Sequence, residues 1–103
     1  MKRVLSGMQP SGKPHLGNYL GAMRQHVALS NDKNYECFYF IANYHALTTV
    51  RKADDLRNWT HNLALDYLAL GLDTERTAFF IQSAIPELTE LTWIFDCITN
   101  VGF

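Results

Sequence analysis

The sequence predicts an α/β fold: one half of a doubly wound parallel sheet, with element order β-α-β-α-β-α and strand order 3-2-1. Three short apolar runs, an apolar helical periodicity after each run, and turns rich in Gly or Pro lead to this prediction. Alternating strands and helices are typical of parallel strands joined by right-handed crossovers. Ligands of such sheets bind at the carboxyl ends of the strands. We therefore expect the functional residues in the segments that follow the strands.

The first strand is predicted over residues 2–6, and a loop rich in Gly and Pro follows over residues 7–14. Apolar residues at helical spacing then predict a helix from Leu16 to about Leu29. Glycine and proline permit a tight turn that brings the backbone close to a ligand. A strand that enters a helix through such a loop directs backbone N–H groups and the positive end of the helix dipole towards one point, which suits a phosphate.

The second strand is predicted over residues 36–42, where the run is almost continuously apolar and aromatic. This pattern is typical of a strand that is covered on both faces. A polar segment, residues 43–49, follows at its carboxyl end. Apolar residues at helical spacing from Leu56 to Leu70 predict the next helix, which Gly71 can close in a left-handed conformation.

The third strand is predicted over residues 78–83, and the last helix begins near Pro86. The apolar side of this helix is expected either to join a subunit interface or to pack on a further part of the sheet. Cys37 and Cys97 lie inside apolar runs, so both are expected to be buried thiols rather than a disulfide framework.

Composition limits the function classes. The 103 residues are 48% hydrophobic and carry a net charge of −1, which indicates one globular domain or part of one. That charge balance gives no sequence-wide basic field for nucleic acid or a membrane surface. Neither a signal peptide nor a long apolar span is recognisable, so we expect no membrane association and a cytoplasmic location. His26 and His61 are expected on the polar faces of their helices, without a functional role.

The loop does not match the common nucleotide-binding motifs. Gly7 and Gly12 are not followed by the Lys-Ser or Lys-Thr pair of a P-loop, and the G-x-G-x-x-G spacing of dinucleotide folds is absent. The run Gly7-Met-Gln-Pro-Ser-Gly12 reads G-x-Q-P-S-G, and His15-Leu-Gly-Asn18 follows it closely. In these two runs the chain resembles class I aminoacyl-tRNA synthetases of the tryptophanyl type, whose class motif is His-Ile-Gly-His. Residues 44–48 and 80–87 agree, so the resemblance covers the whole chain.

The resemblance implies a Rossmann-like catalytic domain and assigns roles to individual residues. His15 and Asn18 would be catalytic and would donate hydrogen bonds to ATP phosphates. The expected ATP-binding residues are Gln9, Pro10, Ser11, Gly17 and Asn18. The expected residues on the amino-acid side are Leu5, Gly7, Asn43 and His45. Mg²⁺ would accompany ATP, and no metal bound by the protein itself is expected.

The implied reaction is activation of L-tryptophan by ATP, followed by transfer to tRNA(Trp), in an enzyme that is a homodimer. Asn18 replaces the last histidine of the class motif, as is common in tryptophanyl enzymes, and Asn43 stands where many bacterial ones carry Asp. The second class signature, K-M-S-K-S, is absent. We therefore expect an N-terminal piece of the catalytic domain, spanning residues 1–103 and inactive alone.

Two other readings of the sequence remain open. One is a tyrosyl-type synthetase or a related nucleotidyltransferase that adenylates a small acid, although the run from Gln9 to Gly12 argues against it. The other is a nucleotide-binding module without catalysis. Assays of amino-acid-dependent ATP–pyrophosphate exchange with tryptophan and with tyrosine distinguish the three functions.

Overall fold

The computed structural model describes residues 1–102 and contains a three-stranded parallel sheet in the order β1-β2-β3. The strands are β1 (Lys2–Met8), β2 (Tyr35–Ile41) and β3 (Thr77–Ile81). Because β2 is central, this order is the predicted 3-2-1 order, and the α/β class is confirmed. The first strand continues two residues beyond the predicted end, so β1 includes the first two residues of the expected loop.

The helical elements occupy the predicted intervals, with two additions: a short helix after β2, and a 3₁₀ turn that replaces the last two residues of the predicted third strand. They are α1 (Leu16–Asn18), a π-helical segment (Tyr19–Met23), α2 (Arg24–Ser30), α3 (Asn43–Ala46), α4 (Ala53–Ala69), a 3₁₀ turn (Gln82–Ala84) and α5 (Glu87–Ile98). The sequence did not predict α3, because four residues are too few to establish a helical period. Within residues 1–102, the helices lack the combination of length and hydropathy that crossing a membrane requires.

The π segment changes which residues of the first helical run reach the core. The backbone N–H of Arg24 donates to the carbonyl of Tyr19, the i to i+5 bond of a π turn. The predicted apolar stripe included Leu16 and Leu20, but these side chains are 70% and 49% exposed, whereas Met23 is buried. A wider turn shifts the residues after it around the helix axis, so regular α-helical spacing does not identify one continuous face.

The hydrophobic core lies on one face of the sheet. On that face Cys37, Tyr39 and Ile41 of β2 are buried. Met23 from the π segment and Leu63 and Tyr67 from α4 pack against them. Right-handed crossovers that step in the same direction across a sheet place both connecting helices on the same side. One layer of helices therefore covers one face of the sheet.

The opposite face carries no buried side chain among residues 1–102, so the prediction that β2 is covered on both faces is wrong for this part of the chain. Leu5 is 71% exposed there, and the rings of Phe40 and Phe80 stack with centroids 5.8 Å apart. An apolar strand sequence indicates that a face can be buried, but it does not say which segment covers it.

Helix α5 also has no buried residue. Its exposed large apolar side chains are Leu88, Leu91, Trp93, Ile94, Phe95 and Ile98. Cys97 is exposed with them, so its predicted burial is wrong, whereas that of Cys37 is confirmed. The periodicity of α5 correctly predicted a helix, but its apolar side chains are not part of the core of residues 1–102.

Helix α4 ends as the sequence predicts. Gly71 adopts a left-handed conformation with φ of 92°. Its N–H donates to the carbonyl of Leu68, and the N–H of Leu72 donates to the carbonyl of Tyr67, both at 3.1 Å. These two hydrogen bonds close the last turn of the helix, and Leu72 after it is buried in the core. The chain then enters β3 in register with β2.

Candidate functional site

The segments after the three strands meet at one edge of the sheet, as expected for parallel strands. The backbone N–H of Ala42, directly after β2, donates to the carbonyl of Met8 at the end of β1, at 2.8 Å. On the other side of β2, the N–H of His45 donates to the side-chain oxygen of Gln82 at 3.4 Å. The loop after β1, helix α3 and the 3₁₀ turn therefore form a continuous edge.

His15 and Asn18 form a reciprocal cap at the start of α1. Nδ1 of His15 accepts from the backbone N–H of Gly17 at 3.0 Å, and Oδ1 of Asn18 accepts from the backbone N–H of His15 at 2.9 Å. The backbone of His15 is extended, as at helix N-caps generally. Each side chain thus satisfies a donor that the first helical turn leaves free.

This cap decides which atoms remain free to bind a ligand. With Nδ1 accepting, the proton of a neutral His15 ring lies on Nε2, which becomes an available donor. With Oδ1 of Asn18 accepting, the amide nitrogen is the free end of that side chain. His15 is exposed and Asn18 is half-buried. The structure therefore places two hydrogen-bond donors, separated by one helical turn, beside the loop.

A small polar cavity of about 100 Å³ lies at this position. It is lined by Met8, Gln9, Ser11, Gly12, Lys13, Pro14, His15, Asn18 and Leu63. Pockets for whole small molecules are several times larger, so this cavity suits one group of a ligand, such as a phosphate. Four of the sequence-predicted residues, Gln9, Ser11, His15 and Asn18, thus share one cavity.

Lys13 also lines this cavity, and it was not predicted from the sequence as a site residue. Its signal was a basic residue inside the Gly- and Pro-rich loop, two positions before His15. A lysine at this place adds positive charge beside the two hydrogen-bond donors.

Two glycines of the predicted site lie where a side chain would collide. A Cβ on Gly17 would lie 2.8 Å from Cε1 and 3.0 Å from Nδ1 of His15. A Cβ on Gly7 would lie 2.5 Å from Cε2 of Phe40. Gly17 thus leaves room for the His15 ring itself, and Gly7 lets the Phe40 ring lie against β1.

The remaining predicted residues lie apart from that cavity. His45, on α3, lines a different cavity of about 530 Å³ together with Gln82 and Trp93. Pro10 is fully buried within the loop, and Leu5 lies on the uncovered face of the sheet. The structure therefore brings the predicted phosphate-binding residues together and keeps His45 and Leu5 at separate surfaces.

The Asn43 side chain joins the ends of β2 and β3. Its Nδ2 donates to Oγ of Ser83 at 2.7 Å, and its Oδ1 accepts from the backbone N–H of Ser83 at 3.0 Å. Both ends of the amide are used within the chain, and Asn43 is partly buried. Asn43 thus links the segment after β2 to the segment after β3.

Replacing Asn43 tests that bridge. Asn43→Ala is expected to lower the free energy of unfolding by about 1–3 kcal/mol, because the Ser83 N–H and hydroxyl lose their partner. Asn43→Asp is the matched variant: its carboxylate accepts from both Ser83 groups, so the loss is expected to be smaller. Urea unfolding of the two variants gives the comparison, and equal losses would contradict the bridging role.

His26 is the clearest departure from the sequence analysis. It was expected on the polar face of its helix, but it is 7% exposed and bonded on both ring nitrogens, so that prediction is wrong. His26 lies three residues after the buried Met23, so the two side chains share the face of the helix that packs on the sheet. His61, by contrast, is exposed on α4, as predicted.

Comparison with known proteins identifies the family. The family model described as tRNA synthetases class I (W and Y) matches residues 1–102. The tryptophan–tRNA ligase of Fusobacterium nucleatum is 56% identical over 102 residues, 99% of this chain and 31% of that protein. The ligase of Rhodopirellula baltica is 57% identical over 100 residues, 97% of this chain and 31% of that protein.

A solved structure of tryptophanyl-tRNA synthetase from Campylobacter jejuni, complexed with ADP and tryptophan, agrees in fold, with a TM-score of 0.88 and 41% identity. The alignment covers 97% of this chain and 31% of that one. The chain thus spans about a third of the length of these relatives. Because the family model covers all but the last residue, the chain belongs to the class I tRNA synthetases of the W and Y family.

Proposed function

We propose that this chain is the N-terminal part of the catalytic domain of a tryptophan–tRNA ligase, which activates L-tryptophan with ATP and transfers it to tRNA(Trp). The observation that carries the proposal is the reciprocal cap, which leaves the His15 ring and the Asn18 amide as donors beside a phosphate-sized cavity. The identity of 56% and 57% with two tryptophan–tRNA ligases favours tryptophan as the amino acid.

In the first step, a carboxylate oxygen of tryptophan attacks the α-phosphorus of ATP. A new oxygen–phosphorus bond forms, the bond to the β-phosphate oxygen breaks, and pyrophosphate leaves. The reaction gains most from positioning and from stabilising negative charge on the phosphates. We assign that work to Nε2 of His15 and the amide of Asn18, with Lys13 adding positive charge. Gln9, Ser11 and Gly17 complete the ATP side.

We assign tryptophan binding to the part of the sheet edge that follows β2 and β3. His45 lies on α3 at a cavity of about 530 Å³, a volume within the range of small-molecule sites. That cavity is lined by Tyr44, Leu88 and Trp93 together with polar side chains. Asn43 and Gly7 support the ends of β2 and β1 between the two regions.

The rest of the proposal concerns tRNA, Mg²⁺, the oligomeric state and the cellular location. A ribose hydroxyl of tRNA(Trp) attacks the adenylate carbonyl, and AMP leaves. Mg²⁺ would be held by the phosphates of ATP. Among residues 1–102, no group of three His, Cys, Asp or Glu side chains lies close enough together to hold a metal, so no side chain is assigned to it. We also propose a homodimer, and a cytoplasmic location because tRNA charging serves translation.

The test is ATP–pyrophosphate exchange in the whole protein that carries this chain. We expect exchange that depends on L-tryptophan and is not supported by L-tyrosine. Exchange with tyrosine alone would favour a tyrosyl-type enzyme. ATP binding without exchange, with either amino acid, would contradict a catalytic role and favour a nucleotide-binding module.

A further inference from the structure

A buried hydrogen-bond chain connects β1 to α4 through His26. Nε2 of His26 lies 3.0 Å from Oγ of Ser6, and Nδ1 lies 2.7 Å from the hydroxyl of Tyr67. Ser6 is on β1, immediately before Gly7 and the loop that forms the phosphate-sized cavity. The ring therefore fixes the end of β1 to a long helix on the covered face of the sheet.

Packing holds the His26 ring in this orientation. It stacks on Tyr39 with centroids 4.5 Å apart and an interplanar angle of 25°, and on Tyr67 with centroids 5.9 Å apart. Tyr39 and Tyr67 are 1% and 2% exposed. The ring thus touches α4, β2 and β1 at once.

The groups around His26 are uncharged at neutral pH. Its partners are a serine hydroxyl on β1, the Tyr67 phenol on α4 and the Tyr39 ring on β2. Burial raises the pKa of Tyr67 to about 12. Burial, and to a lesser extent the hydrogen bond to Cys37, also raises the pKa of Tyr39. Both phenols therefore stay protonated. Burial away from any carboxylate partner lowers the pKa of His26 below its ordinary value.

Either neutral tautomer of the His26 ring makes both hydrogen bonds. If the Tyr67 hydroxyl donates to Nδ1, the Nε2–H of a neutral ring donates to Ser6. The Ser6 hydroxyl is thereby anchored by a ring that is itself fixed by two tyrosines.

We propose that His26 is a positioning residue for adenylation: through Ser6 it holds the end of β1, and so sets the position of the loop that binds the ATP phosphates. This inference rests on the proposed function. The effect is transmitted through the backbone, since Met8 and Gln9, which line the cavity, follow Ser6 by two and three residues. A small displacement of such a loop is sufficient to lower a rate that depends on alignment.

The inference has a pH signature. The unfolded chain binds a proton at His26 more readily than the folded chain. The free energy of unfolding is therefore highest above about pH 6.5 and falls progressively as the pH drops below that value. His26→Phe keeps an aromatic ring for stacking and removes the titrating group. The fall in unfolding free energy on acidification is therefore expected to be smaller in His26→Phe than in the unsubstituted protein.

The experiment compares variants of the whole protein in tryptophan-dependent ATP–pyrophosphate exchange and in urea unfolding from pH 5 to pH 8. His26→Phe and Ser6→Ala are each expected to lower kcat by about 10-fold while the KM for tryptophan stays within about twofold. The double variant is expected to lose no more than the larger single loss, because both changes break the same contact. Ser6→Thr, which keeps the hydroxyl, is expected to restore most of kcat.

His61→Phe is the matched control, because His61 is an exposed histidine on α4, and it is expected to leave kcat and the pH dependence unchanged. If His26→Phe does not fold, Ser6→Ala and Ser6→Thr still decide the question. Variants that lose stability but keep the original kcat overturn the positioning role and leave the proposed function intact. Absence of exchange in the unsubstituted protein contradicts the proposed function and this inference with it.

Discussion

His15→Ala is expected to lower the rate of tryptophan-dependent ATP–pyrophosphate exchange by about 100-fold in the whole protein, as removal of one preorganised donor does in other enzymes. The Nε2–H of His15 is the donor lost, and negative charge develops on the phosphates that it is proposed to contact. Tryptophan affinity is expected to change by less than about twofold, because the interaction is made in the transition state. Stopped-flow binding and exchange kinetics measure the two quantities separately.

The alanine change also removes the helix cap, which costs about 1 kcal/mol of stability by itself. His15→Asn is the matched variant, since Asn is a good N-cap and restores an acceptor for the backbone N–H of Gly17. We expect His15→Asn to recover the unfolding free energy but not the exchange rate. An exchange rate that returns with the cap would mean that His15 acts through helix stability, and an unchanged rate in His15→Ala would refute its role altogether.

Gly17→Ala is expected to lower exchange by about 10- to 100-fold, because the His15 ring must leave its position. The new Cβ would lie 2.8 Å from Cε1 of that ring, closer than real Cβ contacts allow. Turning the ring away breaks its 3.0 Å bond to the Gly17 N–H and redirects Nε2. Alanine favours a helix more than glycine by about 1 kcal/mol, so we expect stability to change little while the rate falls.

Gly21→Ala is the control for that change. Gly21 lies in the same helical run, and a Cβ there meets nothing within 4 Å among residues 1–102. The variant is expected to keep the original exchange rate and to gain roughly 0.5–1 kcal/mol of stability. Urea unfolding and exchange kinetics on both variants give the comparison. A Gly17→Ala variant with the original rate would show that the His15 ring position does not limit activation.

Much of the site was predictable because it is local in sequence. His15 and Asn18 cap a helix three residues apart, and the loop before them is determined by its own glycines and prolines. Lys13 was missed although it lies in the same loop, because a lone lysine between turn residues has no distinctive spacing. The placement of His45 at a separate cavity depends on α3 and α5, which lie far apart in the sequence.

The sequence alone predicted the order of strands and helices, the parallel sheet, the left-handed cap at Gly71 and the Gly- and Pro-rich loop before the first helix. These follow from interactions between residues a few positions apart. Only the tertiary structure decided which faces are covered: it buried His26 against Ser6 and Tyr67, and left Cys97 exposed with α5. The physical reason is that burial depends on which elements pack together. Residues of the first and second helical runs pack on one side of the sheet and leave the other side exposed, and the spacing of apolar residues does not show which side is covered.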